Sequence, residues 1–199
     1  MSKSDGDSSK RQQKQAFRWA LTIFLVTIAV SATISFVSGE VMDRSSMAVA
    51  FLILLFIVAV GIVFDIIGVA VTSADEKPFH SMASRRVSGA REAIRLLRNA
   101  EKVSSICNDV VGDICGVVSG AASATIAARA IMYLDFSWPQ LVSLGMSALV
   151  AGLTVGGKAI GKTVAMNSCT EIVFLVGQIL AAFDRWKNWP RKKITKKKG

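Results

Sequence analysis

Cys107-Asn108-Asp109-Val110-Val111-Gly112-Asp113 is a polar stretch in the first half of an apolar run that extends from residue 103 to about residue 132. The two carboxylates are four residues apart, so on a helix they share one face, one turn apart. A carboxylate inside a lipid bilayer is costly and usually faces a protein interior or a water-filled path. The stretch therefore predicts a membrane helix that packs against other membrane helices.

The composition agrees with a membrane protein. Of the 199 residues, 52% are hydrophobic and the mean hydropathy is +0.47, which is too apolar for an ordinary soluble domain of this size. We predict an all-α, polytopic membrane protein with four transmembrane helices and a basic, amphipathic juxtamembrane helical segment. The predicted spans are 17–37, 47–72, 103–132 and 141–164, and the juxtamembrane helices are 75–102 and 170–183. Apolar residues recur in 75–102 at a spacing that fits one stripe of an amphipathic helix or helix pair: Phe79, Met82, Val87, Ala90, Ile94 and Leu97. This transmembrane domain, 17–183, lies between a disordered cytoplasmic N-terminus, 1–16, and a basic cytoplasmic tail, 184–199.

Basic residues are concentrated in three polar segments, and this sets the predicted orientation. The first eighteen residues, residues 75–102 and the last sixteen residues together carry 20 of the 24 Lys and Arg. With four spans, all three segments fall on one side of the membrane, and the positive-inside rule makes that side the cytoplasm. We expect a multi-pass plasma-membrane protein with both termini in the cytoplasm. The net charge of +10 belongs to these flanks, so nucleic acid is not an expected partner. The Lys-rich tail is a solvated topology anchor, and a nucleic-acid or anionic-lipid patch is the lesser alternative.

Four charged residues in the predicted spans fall at similar depths. At about 1.5 Å per residue, Asp65 lies about 10 Å from the inner end of its span, and Asp109 and Asp113 lie about 9 and 15 Å into the next. Lys158 precedes the inner end of the last span by about one and a half turns. Three carboxylates at one level form a hard-oxygen site suited to Mg²⁺, Ca²⁺ or Na⁺. The alternative is an internal salt bridge in which Lys158 neutralises an Asp and holds the helices together.

Other residues could extend such a site. Asn108 and Ser105 could add oxygen ligands, and a helix break at Gly157 could expose a backbone carbonyl to a ligand. Packing is the preferred interpretation of the glycines, since Gly152/Gly156 and Gly157/Gly161 are small-xxx-small pairs that let helices approach closely and favour a homodimer.

The sequence gives no sign of an enzyme. It contains no nucleophile–His pair, no phosphate-binding loop and no set of His ligands. An intramembrane aspartyl protease would need two facing Asp residues in a Gly-x-Gly-Asp setting, and Val111-Gly112-Asp113 lacks the first glycine. We therefore predict a protein without catalytic residues and without an organic cofactor.

Four elements follow one another between about Phe64 and Lys162, and their order and spacing resemble those of a known family. The elements are Phe64-Asp65-Ile66-Ile67, then Gly89-Ala90 with Glu101-Lys102, then Asn108-Asp109-Val110-Val111-Gly112-Asp113, then Gly157-Lys158-Ala159-Ile160-Gly161-Lys162. They resemble the transmembrane domain of the CNNM/CorC magnesium transporters, also called CorB-type or cyclin-M proteins. In that family a span ends in Phe-Ser-small-small and a basic juxtamembrane segment follows. The next span opens with Gly-Asn-x-x-x-Asn, and the last span ends in Gly-Glu-x-x-Pro-Lys.

The resemblance implies a homodimeric divalent-cation transporter of the magnesium type. The positions of the family's ion ligands, a Ser, two Asn and a Glu, are matched by Asp65, Asp109, Asp113 and Lys158, so Lys158 could itself occupy the metal position. It also implies a short form that lacks the paired cytoplasmic CBS modules. The competing interpretation is a structural or partner-binding membrane protein whose Asp/Lys cluster is an internal ion pair.

Overall fold

The computed structural model describes residues 3–134 and 138–195, with side chains for 17–42, 44–133 and 138–186. Within these ranges the chain forms eight α-helices and one π-helical segment, and it contains no β-strand. The predicted all-α fold is confirmed. The helices are α1 (Lys3–Arg44), α2 (Met47–Ser73), α3 (Lys77–Ser84), α4 (Ala90–Leu97), α5 (Ala100–Ser105), the π-helical segment (Ile106–Gly112), α6 (Asp113–Leu134), α7 (Pro139–Asn167) and α8 (Cys169–Thr195).

Four stretches of these helices are long and apolar enough to cross a bilayer, which confirms the predicted polytopic membrane protein. Even the shortest has 26 residues and rises about 39 Å, more than the hydrocarbon core of about 30 Å. Side chains described below as exposed are those that the protein itself does not cover. The four stretches are Phe17–Met42, Met47–Ser73, Ala100–Tyr133 and Pro139–Asn167.

The helices at the two ends of the chain are longer than predicted. α1 begins at Lys3, within the segment 1–16 that the polar composition predicts to be disordered. α8 runs from Cys169 to Thr195, well past the predicted helix 170–183 and into the basic tail. Lys, Arg, Gln and Ala dominate residues 10–16 and Lys and Arg dominate the tail, and all have high helix propensity, so each helix continues outward from its apolar part.

The chain divides into two compact units, and the first comprises Met1–Ile57 and Ile114–Val150. Its buried core includes one face of α6, on which Val118, Ser119 and Ser123 are at most 2% exposed. The two hydroxyls donate hydrogen bonds to the carbonyls of Gly116, at 3.0 Å, and Gly120, at 2.8 Å, so neither buries an unpaired donor. Small side chains thus allow close packing on this face, as the sequence predicts.

Arg129 joins α6 to the end of α1 within the same unit. Its guanidinium donates to the backbone carbonyl of Met42 at 2.6 Å and to that of Ser45 at 3.2 Å. The last carbonyls of a helix have no partner inside the helix, and a basic side chain is well suited to satisfy them. Arg129 therefore fixes the turn between α1 and α2 to α6.

The second unit comprises Val58–Asp113 and Ala151–Gly199. Its core contains Phe79, which is fully buried, and six smaller apolar side chains, and the seven together come from five helices. The six are Ala70, Val71, Ala93, Leu97, Ala165 and Val173. The apolar stripe predicted in 75–102 supplies much of this core, since Phe79, Ala90 and Leu97 are buried and Met82 and Ile94 are half-buried. Val87 is the one residue of the stripe that is exposed, at 39%.

Two turns divide the predicted segment 75–102 into α3, α4 and α5. The first turn contains the only described residues with positive φ, Arg86 at 57° and Gly89 at 93°. Gly89 also meets α8 directly, because a Cβ at Gly177 would lie 2.5 Å from the Gly89 carbonyl oxygen and a Cβ at Gly89 would lie 2.7 Å from the Gln178 nitrogen. Glycine at both positions therefore lets the backbones of α4 and α8 touch.

Candidate functional site

The polar stretch that opens the third span is a π-helix. Ile106–Gly112 forms seven residues of i→i+5 hydrogen-bonded backbone between α5 and α6. π-helices are rare and occur mostly as single turns, frequently at functional sites. The wider turn changes which side chains share a face, and this decides how the polar residues of the stretch are placed.

Asn108 points from the π-helical segment to α2. Its Nδ2 donates to Ser104 Oγ at 3.2 Å, whereas its Oδ1 is buried and accepts no hydrogen bond from the described residues. On α2 the amide lies against Gly68, where an added Cβ would be 2.8 Å from Asn108 Cγ. A buried carbonyl oxygen without a partner costs about 1–3 kcal/mol, and such an oxygen is a suitable ligand for a hard cation.

Asp65 and Lys158 form an ion pair between α2 and α7. Asp65 Oδ1 lies 3.5 Å from Lys158 Nζ, and the two side chains are 17% and 29% exposed. The helices approach closely on both sides of this pair, because a Cβ at Gly157 would overlap Ile62 and a Cβ at Gly161 would lie 2.7 Å from Ile66 Cγ1. The Gly157/Gly161 pair therefore packs within one chain and positions Lys158 opposite Asp65.

Lys158 also reaches the π-helical segment. A Cβ at Gly112 would lie 3.4 Å from Lys158 Nζ and 3.5 Å from the Cys107 carbonyl oxygen. Gly112 is itself buried, so the absence of a side chain there leaves the space into which the ammonium extends. Asn108 and Gly112, four residues apart, thus form the face of the segment that is turned to α2 and α7.

Asp109 and Asp113 lie on a different face and are exposed. Asp109 accepts a hydrogen bond from Ser105 Oγ at 2.8 Å. The structure does not bring them into one cluster with Asp65: among the described residues, no group of three His, Cys, Asp or Glu side chains could hold a metal ion. The equal depths of the residues were estimated from helix rise alone, and rise does not determine which way a side chain points.

Sequence reasoning missed Gly68, Ser104 and Gly112 as parts of this site. Each is a small residue, and its role is to admit or to hold a side chain from a neighbouring position. Of the three, Gly112 could have been found from its spacing. Asn108 and Gly112 lie four residues apart, as the two carboxylates do, and therefore share one helix face.

Comparison of the chain with protein-family models, with curated proteins and with solved structures gives no match.

Proposed function

We propose that this chain is an integral plasma-membrane protein that binds and transports a small inorganic cation, of the magnesium-transporter type that its motifs resemble. The observation that carries the proposal is the Asp65–Lys158 pair, at 3.5 Å, on two helices that are long enough to span the membrane. Ionised side chains at membrane depth are costly and commonly mark ion pathways. The distribution of basic residues supports an orientation with both termini in the cytoplasm.

Lys158 acts in this proposal as a tethered cation that competes with the transported one. Asp65 offers a carboxylate, and Gly68 follows it by three residues on the same face of α2, which brings the Asn108 amide about one turn away. Carboxylate and amide oxygens are the ligands that Mg²⁺ and Na⁺ prefer. A cation arriving at Asp65 displaces the Lys158 ammonium, and departure of the cation restores the pair.

Asp109 and Asp113 have a separate part in the proposal. Both are exposed, and Asp113, the first residue of α6, lies one turn beyond Asp109 of the π-helical segment. Two exposed carboxylates on the third span attract cations through their field. They therefore raise the local cation concentration and are not direct partners of Asp65.

A second function, a structural or partner-binding membrane protein, is favoured by two observations. Lys158 already neutralises Asp65, and the described residues present no three-carboxylate site. In that case the pair only fixes α2 to α7, and its removal affects stability without any response to metal ions.

Cation uptake into proteoliposomes tests the choice. Purified protein is reconstituted around a Mg²⁺-sensitive dye, and wild type should take up Mg²⁺ faster than protein-free vesicles. Asp65→Asn should abolish the difference, whereas Lys162→Met, an exposed lysine one turn from Lys158, should preserve it. If the cation uptake rates of wild-type and protein-free vesicles are equal for both Mg²⁺ and Na⁺, the transporter proposal is refuted and the structural interpretation is favoured.

Thermal melting of Lys158→Met gives an independent test of cation binding. Removing the tethered ammonium should increase the affinity for Mg²⁺, and a ligand at one hundred times its Kd stabilises the folded state by about 2.7 kcal/mol. Melting temperatures of Lys158→Met should therefore rise with Mg²⁺, and those of the double variant Asp65→Asn/Lys158→Met should not. Melting curves that stay flat in Mg²⁺, Mn²⁺, Ca²⁺ and Na⁺ contradict the transporter proposal.

We also propose a homodimer formed through Gly152 and Gly156 of α7. A Cβ at either glycine would meet nothing within 4 Å, unlike the packed Gly157 and Gly161. Open small residues four apart allow a second helix to approach closely. Gly152→Leu should reduce cross-linked dimer in membranes, with Gly120→Leu on α6, also open, as the control. A wild-type protein that is monomeric by light scattering and does not cross-link in membranes would refute the proposal.

A further inference from the structure

A basic cleft lies between the α3–α4 turn and α8 in the second unit. Its volume is about 370 Å³, and its charged and hydroxyl-bearing lining residues are Arg86, Ser88, Arg91, Glu92 and Arg185. The direct backbone contact of Gly89 with Gly177 and Gln178 holds one wall against the other. Arg185 is two turns beyond Gly177 on α8, so the glycine contact sets its distance from α4.

Three arginines meet one glutamate in the lining, which leaves a net charge of +2. All three guanidinium groups are exposed, and none forms an ion pair with a described residue. Arg185 instead donates to a neutral acceptor, Ser88 Oγ, at 3.2 Å. Elsewhere in residues 75–102, Arg98 Nε lies 3.9 Å from Glu76 Oε1, so acidic residues do pair with arginines where they are within reach.

The cleft is lined by segments that follow two membrane spans along the chain. α3 follows the span that ends at Ser73, and α8 follows the span that ends at Asn167. Beside Arg185 on α8 lie two exposed aromatic residues, Phe183 and Trp186, whose ring centroids are 6.0 Å apart. Trp is enriched at the level of lipid headgroups, which is the level at which phospholipid phosphates lie.

We propose that this cleft binds a phosphate group, and that the group is the headgroup phosphate of an anionic phospholipid. Guanidinium groups bind phosphate through paired, charge-assisted hydrogen bonds. Basic pockets beside membrane helices on the cytoplasmic side bind anionic headgroups. Free phosphate offers the same chemistry, and the experiment below separates the two sources. The proposal uses neither Asp65 nor Lys158 and is independent of cation transport.

Native mass spectrometry of the full-length protein in neutral detergent measures this binding. Phosphatidylglycerol and phosphatidylcholine are titrated separately, and wild type should bind phosphatidylglycerol more tightly. Arg91→Gln and Arg185→Gln should each weaken phosphatidylglycerol binding about fivefold, and the double variant about thirtyfold. Arg95→Gln removes the same charge from the same helix, one turn outside the cleft, and should leave binding unchanged. The single variants carry the test if the double variant does not fold.

Inorganic phosphate at millimolar concentration identifies the source of the group. No competition with phosphatidylglycerol supports the lipid headgroup as the ligand. Competition that disappears in the double variant supports the phosphate site and assigns it to soluble phosphate. Three results would overturn the proposal: wild-type affinity in the double variant, an equal loss in Arg95→Gln, or equal binding of phosphatidylcholine.

Discussion

Neutralising the Asp65–Lys158 pair one residue at a time should destabilise the protein far more than neutralising both residues. The Coulomb energy of unit charges 3.5 Å apart is about 5 kcal/mol at an effective dielectric constant of about 20. Removing one partner leaves the other charge unpaired, at about 3–5 kcal/mol. Both side chains are partly exposed, at 17% and 29%, so we expect the lower end of that range, about 3 kcal/mol each for Asp65→Asn and Lys158→Met.

The double variant tests whether these losses arise from the pair itself. Replacement of both charges in a buried pair is often close to neutral, and we expect a loss of about 1 kcal/mol. Two single losses of about 3 kcal/mol and a double loss of about 1 kcal/mol correspond to a coupling energy of about 5 kcal/mol, similar to the Coulomb energy of the pair.

Equilibrium unfolding in mixed detergent micelles, followed by circular dichroism, measures the four free energies of unfolding. Lys162→Met is the matched control, because Lys162 is exposed on α7 one turn from Lys158, and its effect should lie within about 0.5 kcal/mol. Additive losses in the double variant, or a loss in Lys162→Met as large as that in Lys158→Met, would refute the assignment of an energetically coupled pair.

Three further predictions concern packing and topology. Arg129→Met removes charged hydrogen bonds to the carbonyls of Met42 and Ser45 and should lower the free energy of unfolding by about 2–3 kcal/mol; no measurable loss would exclude a stabilising role. Gly68→Ala should lower the free energy of unfolding by about 1–3 kcal/mol, because the added Cβ overlaps the Asn108 amide. Its control is Gly116→Ala, where an added Cβ meets nothing within 4 Å, and the effect should be neutral or stabilising by up to about 1 kcal/mol. Equal effects of the two variants would contradict the packing described for Gly68. Reporter fusions should place the turn between α1 and α2, residues 45–46, outside and the C-terminal tail in the cytoplasm, and an external tail would refute the topology.

Hydropathy alone was enough to predict the four spans, because the bilayer requires long, continuous apolar helices. The spacing of apolar residues likewise predicts the stripe in 75–102, in which Phe79, Ala90 and Leu97 are buried, Phe79 and Leu97 in one core. Depth along the spans also anticipated that Asp65 and Lys158 could meet, since both residues were placed at the same level from helix rise.

The facing direction of the polar stretch was not predictable in the same way. No residue pattern distinguishes i→i+5 from i→i+4 hydrogen bonding in Ile106–Gly112, so a regular helix was assumed. Their charges favour Asp109 and Asp113 as site residues. In the structure, Asn108 and Gly112, each one residue earlier, are the residues that face α2 and α7. The orientation depends on tertiary packing at Gly68 and Lys158, which the local sequence does not contain.

The hydrogen bonds of Arg129 also bear on the order in which the protein is made. Arg129 follows Met42 by 87 residues, and a ribosome adds about 5–20 residues per second, so the arginine is synthesised about 4 to 17 seconds after the carbonyl that it binds. During this interval the newly inserted helical hairpin of α1 and α2 lacks the guanidinium at its turn. The first unit therefore reaches its final form only after α6 has entered the membrane, and the third span must be synthesised before the first two are held in place.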